Sequence, residues 1–159
     1  MASRLRTCAI AAALLAATTA VAEAQTHRLH LGPRVSYHFD AEEFGLGAQF
    51  SVPIANFLEF YPSFDYFFVD PGSLWALNAD LKYRFAGQGL DWAYAGAGLA
   101  LANADPGGAV DGETDAGMNL LFGVESLKGW VHPFAEGRFT MADESTFQVS
   151  AGLNFTLGR

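Results

Sequence analysis

The sequence predicts an all-β fold in which eight antiparallel strands follow one another up and down and close into a barrel. Three observations predict it. From residue 27 onward apolar residues recur with period two, and no helical period is present. The other face of the segments is built of Gly, Ser, Asn and Gln with a few charges, not of the Lys, Glu and Thr that a water-facing sheet carries. Finally, 51% of the residues are hydrophobic and only 16% charged at a net charge of −8, whereas a soluble domain carries about 25% charged residues.

The first 24 residues stand outside this pattern. Arg4 and Arg6 precede an apolar stretch from Cys8 to Val21, and Ala22-Glu23-Ala24 follows it. A basic start, a short apolar core and an A-x-A site describe a secretory signal peptide cleaved after Ala24. The expected organisation is thus a signal peptide over 1–24 and a single barrel domain over 25–159. The chain's one cysteine, Cys8, lies ahead of the apolar core, so neither a lipid anchor nor a disulfide is expected. Residues 1–24 hold two arginines and one glutamate, so their removal takes the net charge from −8 to −9. Such a charge disfavours nucleic acid as a partner.

The segments follow in order. His27–Phe39 sets Leu29, Leu31, Val35, Tyr37 and Phe39 against His30, Gly32, Arg34, Ser36 and His38. Phe44–Ile54 alternates Phe44, Leu46, Ala48, Phe50, Val52 and Ile54 with Gly45, Gly47, Gln49, Ser51 and Pro53. Phe57–Val69 opposes Leu58, Phe60, Phe64, Tyr66 and Phe68 to Glu59, Tyr61, Ser63 and Asp65, and Asp70-Pro71-Gly72-Ser73 then reads as a tight reversal. Leu74–Phe85 sets Trp75, Leu77, Ala79, Leu81, Tyr83 and Phe85 against Asn78, Asp80, Lys82 and Arg84. A two-residue loop between these last two segments predicts Glu59 opposite Arg84, Tyr61 opposite Lys82 and Ser63 opposite Asp80.

Trp92–Asn103 is so rich in Ala and Gly that its faces are not assigned. Gly117–Ser126 opposes Met118, Leu120, Phe122 and Val124 to Gly117, Asn119, Gly123 and Glu125. Trp130–Met141 sets Ala135, Gly137, Phe139 and Met141 against His132, Glu136 and Arg138, with Phe134 on the polar side. Thr146–Leu157 alternates without exception. The connections after segments one, three, five and seven hold Asp40, Glu42, Glu43, Asp70, Asp105, Asp111, Glu113, Asp115, Asp143 and Glu144 without one Lys or Arg. One end is therefore acidic, and up-and-down order turns it outward from the cell.

A soluble sandwich or a periplasmic lipocalin-like carrier also alternates, with its apolar face inward. Here the polar face fits a cramped interior, since eight strands leave just enough room for side chains. Segments of about 10 residues also have the length that crosses a bilayer when tilted. Aromatic residues support the same reading: Tyr37, Phe39, Phe68 and Trp75 fall near one rim, and Tyr83, Phe85, Trp92 and Trp130 near the other. Rings with a polar edge collect at membrane interfaces.

The strand pattern over Thr26–Arg159, with the phrases Tyr94-Ala-Gly-Ala-Gly98 and Pro133-Phe-Ala-Glu-Gly-Arg138-Phe139, resembles the small OmpA/OmpX-type outer-membrane barrel family. The resemblance implies a transmembrane barrel in the bacterial outer membrane, inserted by the barrel-assembly machinery and in contact with outer-membrane lipid and lipopolysaccharide as a monomer. Two departures are noted: Phe155 is followed by four further residues where a terminal aromatic is usual, and the peptidoglycan-binding domain of the larger members is not expected here.

The site predicted in the interior is a polar network of Arg34, Glu59, Asp80, Lys82, Arg84, Glu125, Glu136 and Arg138, with Glu59 and Arg84 as a direct pair. Leaving one member of a buried pair alone costs about 3–5 kcal/mol, so the network reads as structural. A narrow porin-like ion path is the alternative. Ser36, His38 and Asp40 share one face at i, i+2 and i+4, but the lipid-acting barrel hydrolases read His-x-Ser where this chain reads Ser-x-His, and no oxyanion donor is identifiable. No catalytic residue, cofactor or metal is therefore expected. The acidic stretch 103–116 lacks the regular spacing of a Ca²⁺ loop, and His27, His30 and His132 lack metal-ligand spacing. The expected role is that of a non-enzymatic structural or interaction protein of the outer membrane.

Overall fold

A computed structural model describes residues 29–85, 89–107 and 112–157. The predicted signal peptide, His27 and Asp111 lie outside these residues. The strands are β1 (Leu29–His38), β2 (Glu43–Ala55), β3 (Leu58–Phe67), β4 (Ser73–Arg84), β5 (Ala93–Asp105), β6 (Glu113–Glu125), β7 (Val131–Met141) and β8 (Thr146–Leu157). Each pairs antiparallel with the next, and β8 returns to β1 to close the barrel. Closure leaves no sheet edge, so every strand has a partner on both sides.

The period-two pattern forms these strands because alternate side chains point to opposite faces. Large apolar side chains point out: Leu46, Phe64, Leu81, Leu99, Leu120, Phe122 and Leu153 are all exposed. Polar ones point in: Arg34, Gln49, Asp65, Asp80, Lys82, Asn119, Glu136 and Arg138 are buried. Tyr61, Tyr94, Leu121, Phe134 and Phe67 are the large apolar or aromatic side chains that join them inside.

The β3–β4 register corrects the sequence reading. Glu59 faces Lys82, Tyr61 faces Asp80 and Ser63 faces Asn78, two residues away from the predicted pairing. β3–β4 pairing ends at Phe67–Leu74, and residues 68–72 between the strands form a longer loop than the two residues that the Asp-Pro-Gly-Ser signal suggested. A shift of two preserves the faces, whereas a shift of one would have exchanged them. The region 103–116 is also corrected. Residues 103–105 and 113–116 are strand, with Asn103 opposite Thr114 and Ala104 opposite Glu113, so the β5–β6 hairpin extends further than its apolar pattern indicates.

β5 acquires its faces from its neighbours. Tyr94 and Ala100 are buried, and Leu99 and Leu101 are exposed. Gly98 lies opposite Asp80 on β4 and Asn119 on β6. A Cβ there would sit 2.3 Å from the Ala79 carbonyl oxygen and 2.4 Å from Asp80 Oδ1. The glycine leaves the space that its charged neighbour occupies.

Candidate functional site

The interior holds two ionic clusters. In the first, Arg34 Nε lies 3.1 Å from Asp65 Oδ1, and its Nη2 lies 3.1 Å from Glu136 Oε1. Arg138 Nη2 reaches the same Glu136 oxygen at 3.2 Å and Asp80 Oδ2 at 2.8 Å. Hydroxyls and amides add further bonds: Arg34 donates to Ser150 at 2.5 Å, Arg138 to Ser63 at 3.0 Å, and Asn119 to Asp80 at 2.9 Å.

In the second cluster two carboxylates and two cations alternate. Lys82 Nζ lies 2.9 Å from Glu59 and 3.3 Å from Glu125. Arg84 binds Glu59 and reaches Glu125 at 2.6 Å. Ser51 donates to Glu59, and Asn154 donates to Glu125 at 2.8 Å. Two tyrosines flank Lys82, and one of them, Tyr94, connects the clusters. The Lys82 ammonium sits 4.4 Å from the Tyr61 ring centre and 4.9 Å from that of Tyr94, and the Tyr94 hydroxyl donates to Glu136 at 3.1 Å. Every ionic side chain in these clusters has an opposite charge within 3.3 Å, the arrangement that offsets desolvation of buried charge.

All eight residues singled out in the sequence, Arg34, Glu59, Asp80, Lys82, Arg84, Glu125, Glu136 and Arg138, thus lie in these two groups. Glu59 and Arg84 contact one another diagonally, with Lys82 directly opposite Glu59. Asp65 was not among the eight. Its partner Arg34 is two strands away, and the row Arg34, Gly47, Asp65 brings them together across a glycine. A Cβ on Gly47 would lie 2.7 Å from Asp65 Oδ1, so the glycine is the sequence signal for this pair.

His132 has a separate task. Ser126 N donates to the Pro133 carbonyl at 2.9 Å, but Pro133 has no N–H to return to Ser126. His132 Nδ1 lies 2.7 Å from that Ser126 oxygen and supplies the missing donor. Since a carbonyl only accepts, Nδ1 carries the proton, and Nε2 accepts from the Thr156 hydroxyl at 2.8 Å.

Ser36, His38 and Asp40 do not assemble a nucleophile and base. The Ser36 hydroxyl donates to Asp65 at 2.6 Å and lies 2.8 Å from Ser150. His38 Nδ1 accepts from the Ala41 N–H at 3.2 Å, its ring rests 5.2 Å from that of Phe67, and Asp40 accepts from the Phe147 N–H at 3.0 Å. Among the described residues no group of three or more His, Cys, Asp or Glu is placed to hold a metal ion.

On the outer surface, aromatic residues gather at both ends. Tyr37 packs on Phe39 and Phe44 at 5.0 and 4.8 Å, Tyr66 on Phe68 at 5.8 Å, and Phe64 on Trp75 at 6.3 Å. At the opposite end Tyr83 packs on Phe85 at 5.8 Å, Trp130 on Phe155 at 5.7 Å, and Trp92 Nε1 donates to the Gly89 carbonyl at 2.6 Å.

No protein-family profile and no curated protein sequence matches the chain. Solved structures do. The crystal structure of Neisserial surface protein A (NspA) is similar with a TM-score of 0.58 at 20% identity, over 82% of this chain and 95% of that one. Ail, the attachment invasion locus protein of Yersinia pestis, is similar in two crystal structures at 12% identity, over 82% of this chain and 97% of that one. Its complex with the heparin analogue sucrose octasulfate gives a TM-score of 0.56 and the other structure 0.51. The fold is therefore that of the small OmpA/OmpX-type barrels which the sequence resembles, an all-β closed barrel of eight antiparallel strands.

Proposed function

We propose that this chain is a non-enzymatic structural or interaction protein of the bacterial outer membrane, spanning the bilayer as a barrel whose charged interior holds it rigid. One observation carries the reading: the usual distribution of polar and apolar residues is inverted. Among the described residues 30 large hydrophobic side chains are exposed, while 18 of the buried residues are polar or charged. Fully burying one large apolar side chain is worth about 1.5–3 kcal/mol, so leaving 30 half-exposed to water would cost on the order of tens of kcal/mol. A hydrocarbon surrounding removes that cost, and a closed barrel is one of the two backbone arrangements that such a surrounding tolerates.

The same geometry supports a plug over a path. The interior is occupied by guanidinium, ammonium and carboxylate groups joined to one another, with Phe67 fully buried beside His38. The partners we propose are outer-membrane lipid and lipopolysaccharide along the apolar belt, and the assembly machinery during insertion. The end that carries Asp40, Glu42, Asp70, Asp105, Asp143 and Glu144 has no exposed Lys or Arg among the described residues, and Lys128 lies at the other end. Charge repulsion at that end disfavours a polysulfated ligand of the kind seen with Ail.

Protease digestion of the protein refolded into phosphatidylcholine vesicles tests this reading. Cleavage is expected only in the turns, foremost between β5 and β6, with the strands protected in one closed fragment set. Cleavage throughout the strands would overturn it, and so would steady single-channel current in a planar bilayer for the plug.

A further inference from the structure

In an antiparallel ladder every second pair carries hydrogen bonds, so one bond fixes the phase of a whole seam. Along β1–β8, Phe39 N donates to the Phe147 carbonyl at 3.0 Å. Stepping by two along that seam brings Pro33 opposite Leu153 at a hydrogen-bonding position. Proline has no N–H, so the Leu153 carbonyl receives nothing from β1. The ladder is interrupted there: pairing runs from Leu29 to Leu31 and resumes at Arg34. The Leu153 carbonyl crowds Gly32 instead, where an added Cβ would lie 1.7 Å from its oxygen.

The β2–β3 seam repeats the feature. Phe68 N donates to the Phe44 carbonyl at 3.0 Å, and the same stepping places Pro62 opposite Phe50 at a hydrogen-bonding position. Pairing stops after Gln49–Ser63 and resumes at Val52–Phe60. The two gaps lie at neighbouring heights, because Pro33 faces Ala48 on β2 and Phe50 faces Leu31 on β1. Between them the β1–β2 ladder is unbroken from His30–Ser51 to His38–Glu43. On the far side of the barrel the β4–β5 and β5–β6 ladders run without a gap, from Ser73–Asp105 to Arg84–Tyr94 and from Ala93–Val124 to Ala104–Glu113.

We propose that the β1–β2 hairpin is a movable panel in the barrel wall, separating from β8 and β3 at the two proline gaps while the other seams stay closed. Behind the gaps lie buried polar side chains: Gln49, Ser51 and Tyr61 at the β2–β3 break and Asn154 at the β1–β8 break. Movement of the panel opens the wall sideways onto this group; Arg34 on β1 keeps its pairs with Asp65 and Glu136 and limits the opening, while the pairs of Lys82 and Arg84 with Glu125, between β4 and β6, stay in place.

Hydrogen–deuterium exchange of the folded protein in detergent micelles, read by mass spectrometry, tests the proposal. Amides at 31, 32, 34, 50–52 and 153–155 should exchange at least about tenfold faster than those at the centres of β4, β5 and β6. The double variant Pro33→Ala, Pro62→Ala restores both donors and should slow these amides about tenfold, leaving β4–β6 unchanged. A disulfide between Leu31→Cys and Phe155→Cys, which face one another across the β1–β8 seam, should slow the β1 amides similarly in a Cys8→Ser chain. This cross-link keeps the prolines and serves as the test if the alanine variant fails to fold. Uniform exchange around the barrel, or unchanged rates in a folded alanine or cross-linked variant, would overturn the proposal.

Discussion

Replacing Arg138 by methionine isolates what the interior network contributes. Arg138 is 1% exposed and holds Asp80 at 2.8 Å, Glu136 at 3.2 Å and Ser63 at 3.0 Å. Glu136 keeps Arg34 and Tyr94 in the variant, but Asp80 keeps only the Asn119 amide at 2.9 Å. Arg138→Met therefore leaves a buried carboxylate without a cation, which costs about 3–5 kcal/mol, or roughly 10²- to 4 × 10³-fold in the folding equilibrium. Adding Asp80→Asn removes the stranded charge and should recover half of that loss or more. Urea titration in lipid vesicles, with folded protein scored by its migration on an unboiled gel, gives both values by linear extrapolation. A single variant within about 1 kcal/mol of the wild type, or a double variant no more stable than the single, would refute the argument that paired charge holds the interior.

Four further outcomes are expected. Leu81→Arg places a cation on the outer face at mid-strand, where Leu81 is 46% exposed, and should cost about 2–4 kcal/mol in the same titration. Asp143→Lys, in the β7–β8 turn, should stay within about 0.5 kcal/mol. Gly98→Ala drives a Cβ to 2.3 Å from the Ala79 carbonyl oxygen and should abolish the folded band, whereas Ala97→Gly on the opposite face should fold normally. His132→Phe strands the Ser126 carbonyl and should cost about 1–3 kcal/mol, with part regained on adding Pro133→Ala because the backbone donor returns.

The architecture was legible because barrel strands obey one strict rule, alternation, and this chain keeps it through seven of its eight strands. The polar clusters were legible for the same reason: Glu136 and Arg138, or Lys82 and Arg84, must share a face at spacing two. Partner choice was less accessible. Asp65 meets Arg34 only through the β1–β2–β3 row across Gly47, a contact set by two registers at once. Register itself depends on turn length, and Asp70-Pro71-Gly72-Ser73 suggested a tighter reversal than residues 68–72 make. In β5 alternation carries no signal, since Ala and Gly suit both faces, and the order comes from bulky Asp80 and Lys82 on β4 facing Gly98 and Gly96. The role of His132 was hidden for another reason. It follows from a hydrogen bond that Pro133 cannot make, which becomes visible only once β6 lies beside β7.

The inverted distribution of polar and apolar residues fits a barrel surrounded by hydrocarbon, and migration of purified protein on a gel with and without boiling tests this most directly. The protein is expected to stay dispersed only with detergent or lipid, and the unboiled sample to run as a compact band which shifts on heating. Protein that remains soluble and folded in plain buffer after detergent removal, with no shift on heating, would contradict it.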